Sequence, residues 1–351
     1  MNENDVAKLK EWFLSQRREL PWRNNPTPYA VWISEVMLQQ TQVSVVIPYF
    51  EHWMECFPTI QDLAQAPLER VLKEWEGLGY YSRARHLHEG ARYIVEHFDG
   101  KLPETPELLR KIKGLGTYTI GAILSFAFHQ RMPAIDGNVL RVLARYYCLQ
   151  EDIKKTKTLK NIHTLAERLL PEKESWIISE ALIELGATVC MRKPKCHECP
   201  LKNHCQGYLR GLADQLPIKS ASKKTEYLYR GVAVIVCKNA LLVQRGSKGK
   251  VMADLYEFPF VELKGMEDSL VHLQAHLLKR LNLSVEWEKE LTHVKHSFTR
   301  FNARLFPHLF SLKQTKTIQG FEWLEIEELK KMPFSAGHRR IFSEVQSLRG
   351  D

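Results

Sequence analysis

The chain has 351 residues, 44% hydrophobic and 26% charged, which is long for one hydrophobic core and too apolar for wholesale disorder, so two packed domains are expected. Lys and Arg outnumber Asp and Glu by 50 to 41, giving a formal charge of +9 that favours a polyanionic partner without identifying one. No stretch reaches the length of a membrane span, the charged start lacks a signal peptide's apolar run, and seven cysteines with four clustered do not make a secreted disulfide framework, so a cytoplasmic protein is expected.

From about Val6 to Tyr208 the pattern is helical, with Pro- and Gly-bounded segments whose apolar residues recur at three and four. Thr27-Pro28 pairs an N-cap with a first-turn proline. The helix it opens carries Val31, Val36 and Leu38, is apolar over most of its surface and therefore belongs in a core. Glu35 lies within that helix, where a carboxylate is either paired or functional because its burial is costly. Lys113-Gly114-Leu115-Gly116-Thr117-Tyr118 joins two apolar helical stretches. Its glycines allow main-chain amides to approach an anion, and the helix start near Thr117 adds free N–H donors, although an ordinary tight turn carries the same glycines. Pro133-Ala134-Ile135-Asp136-Gly137-Asn138 opens another helix at Val139, and Asp136 taken alone reads as its N-cap.

Cys190, Cys196, Cys199 and Cys205 follow a C-x5-C-x2-C-x5-C pattern, compact enough for four thiolates to meet at one metal centre. Four soft ligands suit a structural zinc or an iron–sulfur cluster. Arg192, Lys193 and Lys195 lie in the first loop of this cluster, where three cations on one turn serve either phosphate contact or solubility. Residues 212–224 have a linker's composition. Beyond them, residues 231–237 and 240–245 are β-rich runs around Lys238-Asn239, and 268–281 is helical, so the second domain is α+β. The expected layout is an all-α domain over 1–211, with a hairpin at about 105–128 and a cysteine module at 190–205, then a linker at 212–226 and an α+β domain at 227–347.

A helix-hairpin-helix, a downstream aspartate and four cysteines, in this order, resemble the endonuclease III superfamily of DNA glycosylases. The runs Leu20-Pro21-Trp22-Arg23, Trp32-Ile33-Ser34-Glu35-Val36-Met37-Leu38-Gln39-Gln40-Thr41-Gln42 and Gly77-Leu78-Gly79-Tyr80-Tyr81 are similar to its MutY-type adenine glycosylase branch. The resemblance covers nearly the whole chain, since that branch also carries a C-terminal Nudix-like domain that reads 8-oxoguanine opposite the adenine. It implies a 4Fe-4S cluster on Cys190, Cys196, Cys199 and Cys205, with zinc as the alternative. It also implies a monomer acting on double-stranded DNA that contains adenine mispairs, associated with the nucleoid through that DNA.

Carried over by position, Glu35 is the general acid that protonates the adenine ring and then serves the attacking water, and Asp136 stabilises the sugar cation. Losing a base builds positive charge on the sugar and negative charge on the base, which calls for a carboxylate and an acid. Tyr118 stands where bifunctional relatives place a lysine, so no Schiff base forms and the strand is not cleaved. Tyr118 and Asn138 are expected to orient Asp136 and the water. Gly114 and Gly116 would grip the DNA backbone, and Gln40, Thr41 and Tyr80 would enter the duplex where the adenine leaves. Arg23, Glu180 and Ile183 would line the adenine pocket, with Phe298 and Thr299 in the loop that reads the opposite base.

The chain departs from this pattern in three places. Its first cluster loop is one residue shorter than usual, Arg300 replaces the reading loop's histidine, and Ala275-His276-Leu277-Leu278-Lys279-Arg280 has cations where a Nudix hydrolase needs magnesium ligands. The last departure implies a domain that binds rather than hydrolyses. A thymine or uracil mismatch glycosylase of the same superfamily is the alternative reading; the C-terminal domain and Glu35 argue against it, because a purine leaving group gains from ring protonation. A catalytically silent DNA-binding protein is the other, opposed by the presence of both Glu35 and Asp136.

Overall fold

The structure, a computed structural model, describes residues 1–220, 225–247, 249, 252–265, 268–298 and 300–349. The chain forms two compact units, Met1–Ala64 with Glu89–Ser222, and Gln65–His88 with Lys223–Asp351. The helices that precede the sheet are α1 (Glu3–Gln16), α2 (Pro21–Asn24), α3 (Pro28–Leu38), α4 (Val43–Cys56), α5 (Ile60–Gln65), α6 (Leu68–Glu74), α7 (Ser82–Phe98), α8 (Pro106–Leu109), α9 (Thr117–Ala122), α10 (Gly137–Tyr146), α11 (Thr156–Leu169), α12 (Ser175–Thr188) and α13 (Gln206–Leu209).

In the first unit, Thr27 caps α3 by accepting from the Ala30 N–H at 3.1 Å, and every residue from Tyr29 to Met37 is buried. A helix apolar all round is stable only inside a core, as its composition requires. Asp136 is indeed the N-cap of α10, accepting from the amides of Asn138 and Val139 at 2.8 Å each. The core around α10 and α12 is built from Val139, Val142, Leu143, Ile178, Leu182 and Leu185, with Leu9 and Phe13 of α1. Gly186 permits the close approach of α12 to α10, since a Cβ there would lie 2.5 Å from Cβ of Asn138. After α9 the backbone continues as a π-helical turn, Ile123–Ala127, a feature with no sequence signature.

The expected linker is partly claimed by this unit. Leu216 is buried, its carbonyl accepts from Arg145 Nε at 2.9 Å, and the Ile153 N–H donates to Ile218 at 3.0 Å. The composition of this stretch is loop-like because its backbone partners lie on α10 and in the turn before α11 rather than in a periodic element of its own.

The second unit holds β1 (Glu226–Cys237), β2 (Ala240–Arg245), β3 (Tyr256–Glu257), β4 (Phe260–Leu263), β5 (Glu286–Glu290), β6 (Val294–Phe298), β7 (Phe301–Ser311) and β8 (Phe321–Glu325) in a mixed sheet ordered β3-β2-β1-β7-β5. β1 and β7 run parallel, from Glu226 opposite Phe301 to Val236 opposite Ser311. Residues 231–237 are buried without alternation because both faces of β1 are covered. Val232, Val234 and Val236 pack with Ile341, Phe342 and Val345 of α16 (Ala336–Leu348); Ala233 and Ile235 pack with Leu273 and Leu277 of α14 (Ser269–Leu281). Between β8 and α16 lies α15 (Ile326–Lys331). The segment carrying α6 and the start of α7 belongs to this unit. Glu76 takes Arg339 Nε at 2.6 Å, and the Tyr81 hydroxyl donates to the Phe334 carbonyl at 3.1 Å. The expected layout had put this segment with the helical domain. No described helix is long and apolar enough to cross a membrane.

Candidate active site and cysteine module

Glu35 projects from α3 and is 6% exposed, and the Tyr118 hydroxyl, on the first turn of α9, donates to its Oε2. Burial pushes the Glu35 carboxyl up to about 7; the charges of Asp136 and Glu180 add to this, while the Tyr118 hydrogen bond and Arg23 oppose it. The Tyr118 hydroxyl is itself raised well above its ordinary range by burial and by Glu35. It therefore remains a neutral donor.

Asp136 is supported differently. Its Oδ2 accepts from Asn138 Nδ2 at 2.6 Å, and its Oδ1 takes the two amides of the helix start. Burial raises its pKa while these three donors and Arg141 oppose the rise. Glu35 thus has one donor and Asp136 has three, an arrangement that favours the acid form at Glu35 and the anion at Asp136. Asn138 reaches Asp136 as expected, whereas Tyr118 bonds to Glu35.

Arg23 Nε lies 3.5 Å from Glu180, and its Nη2 lies 2.9 Å from Glu184, which Arg18 also holds at 2.5 Å. Burial raises Glu180, with Arg23 the main opposing group. Ile183, on the same helix, packs partly buried against the core. Gln40, just past α3, is exposed and held at φ 61°, a conformation few residues other than glycine adopt. Thr41 follows it, half-buried. In the hairpin, Gly114 has φ 88° and Gly116 caps α9 without a side chain over its first amides. Those amides are the donors a phosphate would use.

In the second unit Tyr80, at φ 47°, and Phe298 line a cleft of about 760 Å³ together with Tyr81, Lys295, His296 and Arg340. Burial, with Arg340 and Arg230 nearby, lowers His296 to about 4, so it is neutral there. Thr299 lies outside the described residues. Arg300 pairs with Glu226 at 3.1 Å and lies over the Phe301 ring. Helix α14 carries no carboxylate, and its last turn holds Lys279 and Arg280. Lys295 lies three residues before Phe298 in sequence and could have been found there; Arg340 comes from a distant helix and could not.

The four clustered cysteines form no disulfide and line one cavity with Arg145, Lys195, Lys202 and Tyr208. Burial pushes Cys199 up to about 12 and raises Cys196 and Cys205, with repulsion among the thiolates adding to it. Four soft sulfurs on one cavity, with a guanidinium donating to one of them, fit a thiolate-ligated metal centre. Helix α10 faces this module with two cations that the sequence reading had not singled out. Arg145, 2% exposed, donates to Cys190 Sγ at 3.4 Å and to the carbonyls of Met191 and Arg192 at 2.5 and 3.0 Å. Arg141 donates to the Cys190 carbonyl at 2.7 Å and to Asn138 Oδ1 at 2.8 Å. Their four-residue spacing on an amphipathic helix was the available signal.

Comparison with known proteins agrees with this geometry. Residues 33–169 match the HhH-GPD superfamily base excision DNA repair protein, residues 231–344 a NUDIX domain, and residues 192–205 the iron-sulfur binding domain of endonuclease III. The chain is 34% identical to the adenine DNA glycosylase of Mus musculus over 98% of its own length and 78% of that protein's. It is 44% identical to the adenine DNA glycosylase of Homo sapiens over 97% and 73%. Among solved structures it is similar to a thermostable thymine-DNA glycosylase, at a TM-score of 0.54 and 26% identity, over 58% of this chain and 95% of that one. The cysteine module is therefore a 4Fe-4S site, and the two units are a helix-hairpin-helix glycosylase core and a Nudix-like domain. The chain belongs to the adenine DNA glycosylase family, enzymes of base-excision repair that act on DNA.

Proposed function

We propose that the chain, as a monomer, removes adenine paired with 8-oxoguanine or guanine from duplex DNA, by hydrolysis and without cutting the strand. The observation that carries this reading is Glu35, a carboxyl raised to about 7 inside an apolar helix, so that it still holds a proton near neutrality. It delivers that proton to the adenine ring, which weakens the glycosidic bond, and then accepts one from water. Asp136, with three N–H donors fixing its carboxylate, faces the developing sugar cation. Tyr118 has no amine with which to attack the sugar, and its hydroxyl orients Glu35 instead.

Gly114, Gly116 and the amides of α9 hold the backbone, and Gln40, Thr41 and Tyr80 enter the stack left by the flipped base. Arg23, Glu180 and Ile183 bound the adenine pocket. Phe298 and its cleft of cations and aromatics suit the opposite base and its phosphate; a helix α14 without metal ligands suits binding rather than hydrolysis. A bound cluster gives the turn with Arg192, Lys193 and Lys195 a rigid base from which to meet phosphates. Single-turnover release of adenine, thymine and uracil from duplexes paired with 8-oxoguanine or guanine tests the proposal. Adenine loss that only alkali converts into a strand break is expected. Pyrimidine release, or direct cleavage, would overturn it.

A further inference from the structure

Asp5 lies in the first turn of α1 and is 1% exposed. Acidic residues favour a helix's first turn, but they gain from the helix ends while staying in water; burying one requires its oxygens to be occupied. The Tyr146 hydroxyl, at the end of α10, donates to Oδ2 of Asp5, and Nδ1 of His204 lies 2.8 Å from Oδ1. His204 immediately precedes the ligand Cys205. Around this junction the chain's start is fastened twice more: Asn2 accepts from the Asp5 amide at 2.9 Å, and the Met1 ammonium donates to the Tyr147 hydroxyl at 2.6 Å.

The residue before Tyr146 is Arg145, which grips Cys190 and the turn after it. The last turn of α10 therefore touches both flanks of the cysteine module, the Cys190 side through Arg145 and the Cys205 side through Tyr146, Asp5 and His204. Little slack exists between them. Cys205 Sγ lies 3.6 Å from the Arg145 carbonyl, and a Cβ on Gly207 would meet that same oxygen at 2.6 Å. α1 has its own apolar anchor in Leu9 and Phe13, so the Asp5 contacts are not needed merely to dock the helix.

We propose that Asp5 is a positioning residue for the iron–sulfur module: by bridging Tyr146 and His204 it fixes the loop that carries Cys205 against α10 and so governs how firmly the cluster is kept. The test is the decay of visible iron–sulfur absorbance in the intact protein exposed to ferricyanide and a chelator, with thermal unfolding followed separately by circular dichroism. Asp5→Ala and His204→Ala should each speed decay about tenfold, as expected when one partner of a part-buried hydrogen-bonded pair is removed. The double variant should decay no faster than the singles, because both break the same bridge. Asp5→Asn, which keeps one acceptor oxygen, should fall between. Leu9→Ala is the control, weakening α1 without touching the bridge; it should lower the unfolding temperature yet release iron at close to the wild-type rate. The proposal is overturned if His204→Ala, whose side chain is 46% exposed and whose loss the fold should tolerate, keeps its cluster like the wild type. It is equally overturned if Leu9→Ala releases iron as fast as the Asp5 variants do.

Discussion

Each unit of this molecule has a buried glutamate that burial raises to about 7, Glu35 in the helical unit and Glu257 on β3, both 6% exposed. Their surroundings differ. Glu35 has a hydroxyl donor and two further carboxyls within electrostatic reach, an arrangement in which a proton can be given up to a base and the charge left behind is oriented. Burial of Glu257 is opposed by Arg230, and the His338 ring lies 4.0 Å from its carboxyl. That ring is lowered to about 3 by burial and accepts from the Phe258 amide, so it stays neutral. A shifted pKa therefore marks burial in both places, and only the neighbours of Glu35 suit the proposed chemistry.

The comparison is broken most severely if Glu35→Gln retains excision. The expected result is a fall of about three orders of magnitude in single-turnover adenine release, with binding to the mispaired duplex kept, the range a lost general acid accounts for. Next, Tyr118→Lys should change the outcome by supplying an amine, so that borohydride traps a covalent adduct the parent chain does not form; Tyr118→Phe should slow release about tenfold by freeing the Glu35 carboxyl. pH separates the two glutamates. Because the proposed mechanism uses the acid form of Glu35, excision should decline about tenfold per unit once pH passes about 7, and Glu257→Gln should leave that profile unchanged. Glu257 should instead appear in stability. Its folded pKa is raised, so the neutral form favours folding, and that contribution is lost as pH rises from about 4.5 through about 7. Glu257→Gln should flatten this dependence in thermal unfolding. The smallest effect belongs to Arg300→Ala. Its half-exposed pair with Glu226 carries at most about 0.5 kcal/mol, so unfolding should barely shift while the relative excision rates opposite 8-oxoguanine and guanine change a few-fold.

Local rules were legible along the chain. Thr27 caps where a Thr-Pro pair should, α3 is buried all round as its composition demands, and the unbroken apolar run of β1 is explained by a helix on each face. The carboxyls, the hairpin glycines and the four cysteines could be marked because their types and order point to one chemistry. What could not be read was which distant group each would meet. Tyr118 was expected near Asp136 and bonds to Glu35, 83 residues away. Arg141 and Arg145 stand four residues apart on one helix and Asp5 stands in a first turn, and neither placement names the cysteine module that these residues meet. Periodicity reports that a face is covered and is silent about the covering partner. Residues 65–88 show the same limit, since Glu76 gives no hint of Arg339.

Gly186 touches no catalytic atom, yet any side chain placed there would strike Asn138, the residue that holds Asp136, and would disturb the Gly186 carbonyl that accepts from Arg141 at 2.7 Å. In a mutational screen scored by adenine excision, this glycine should be as intolerant as the carboxylates themselves. Its substitutions should behave as lesions of the active site even where the protein accumulates to normal levels.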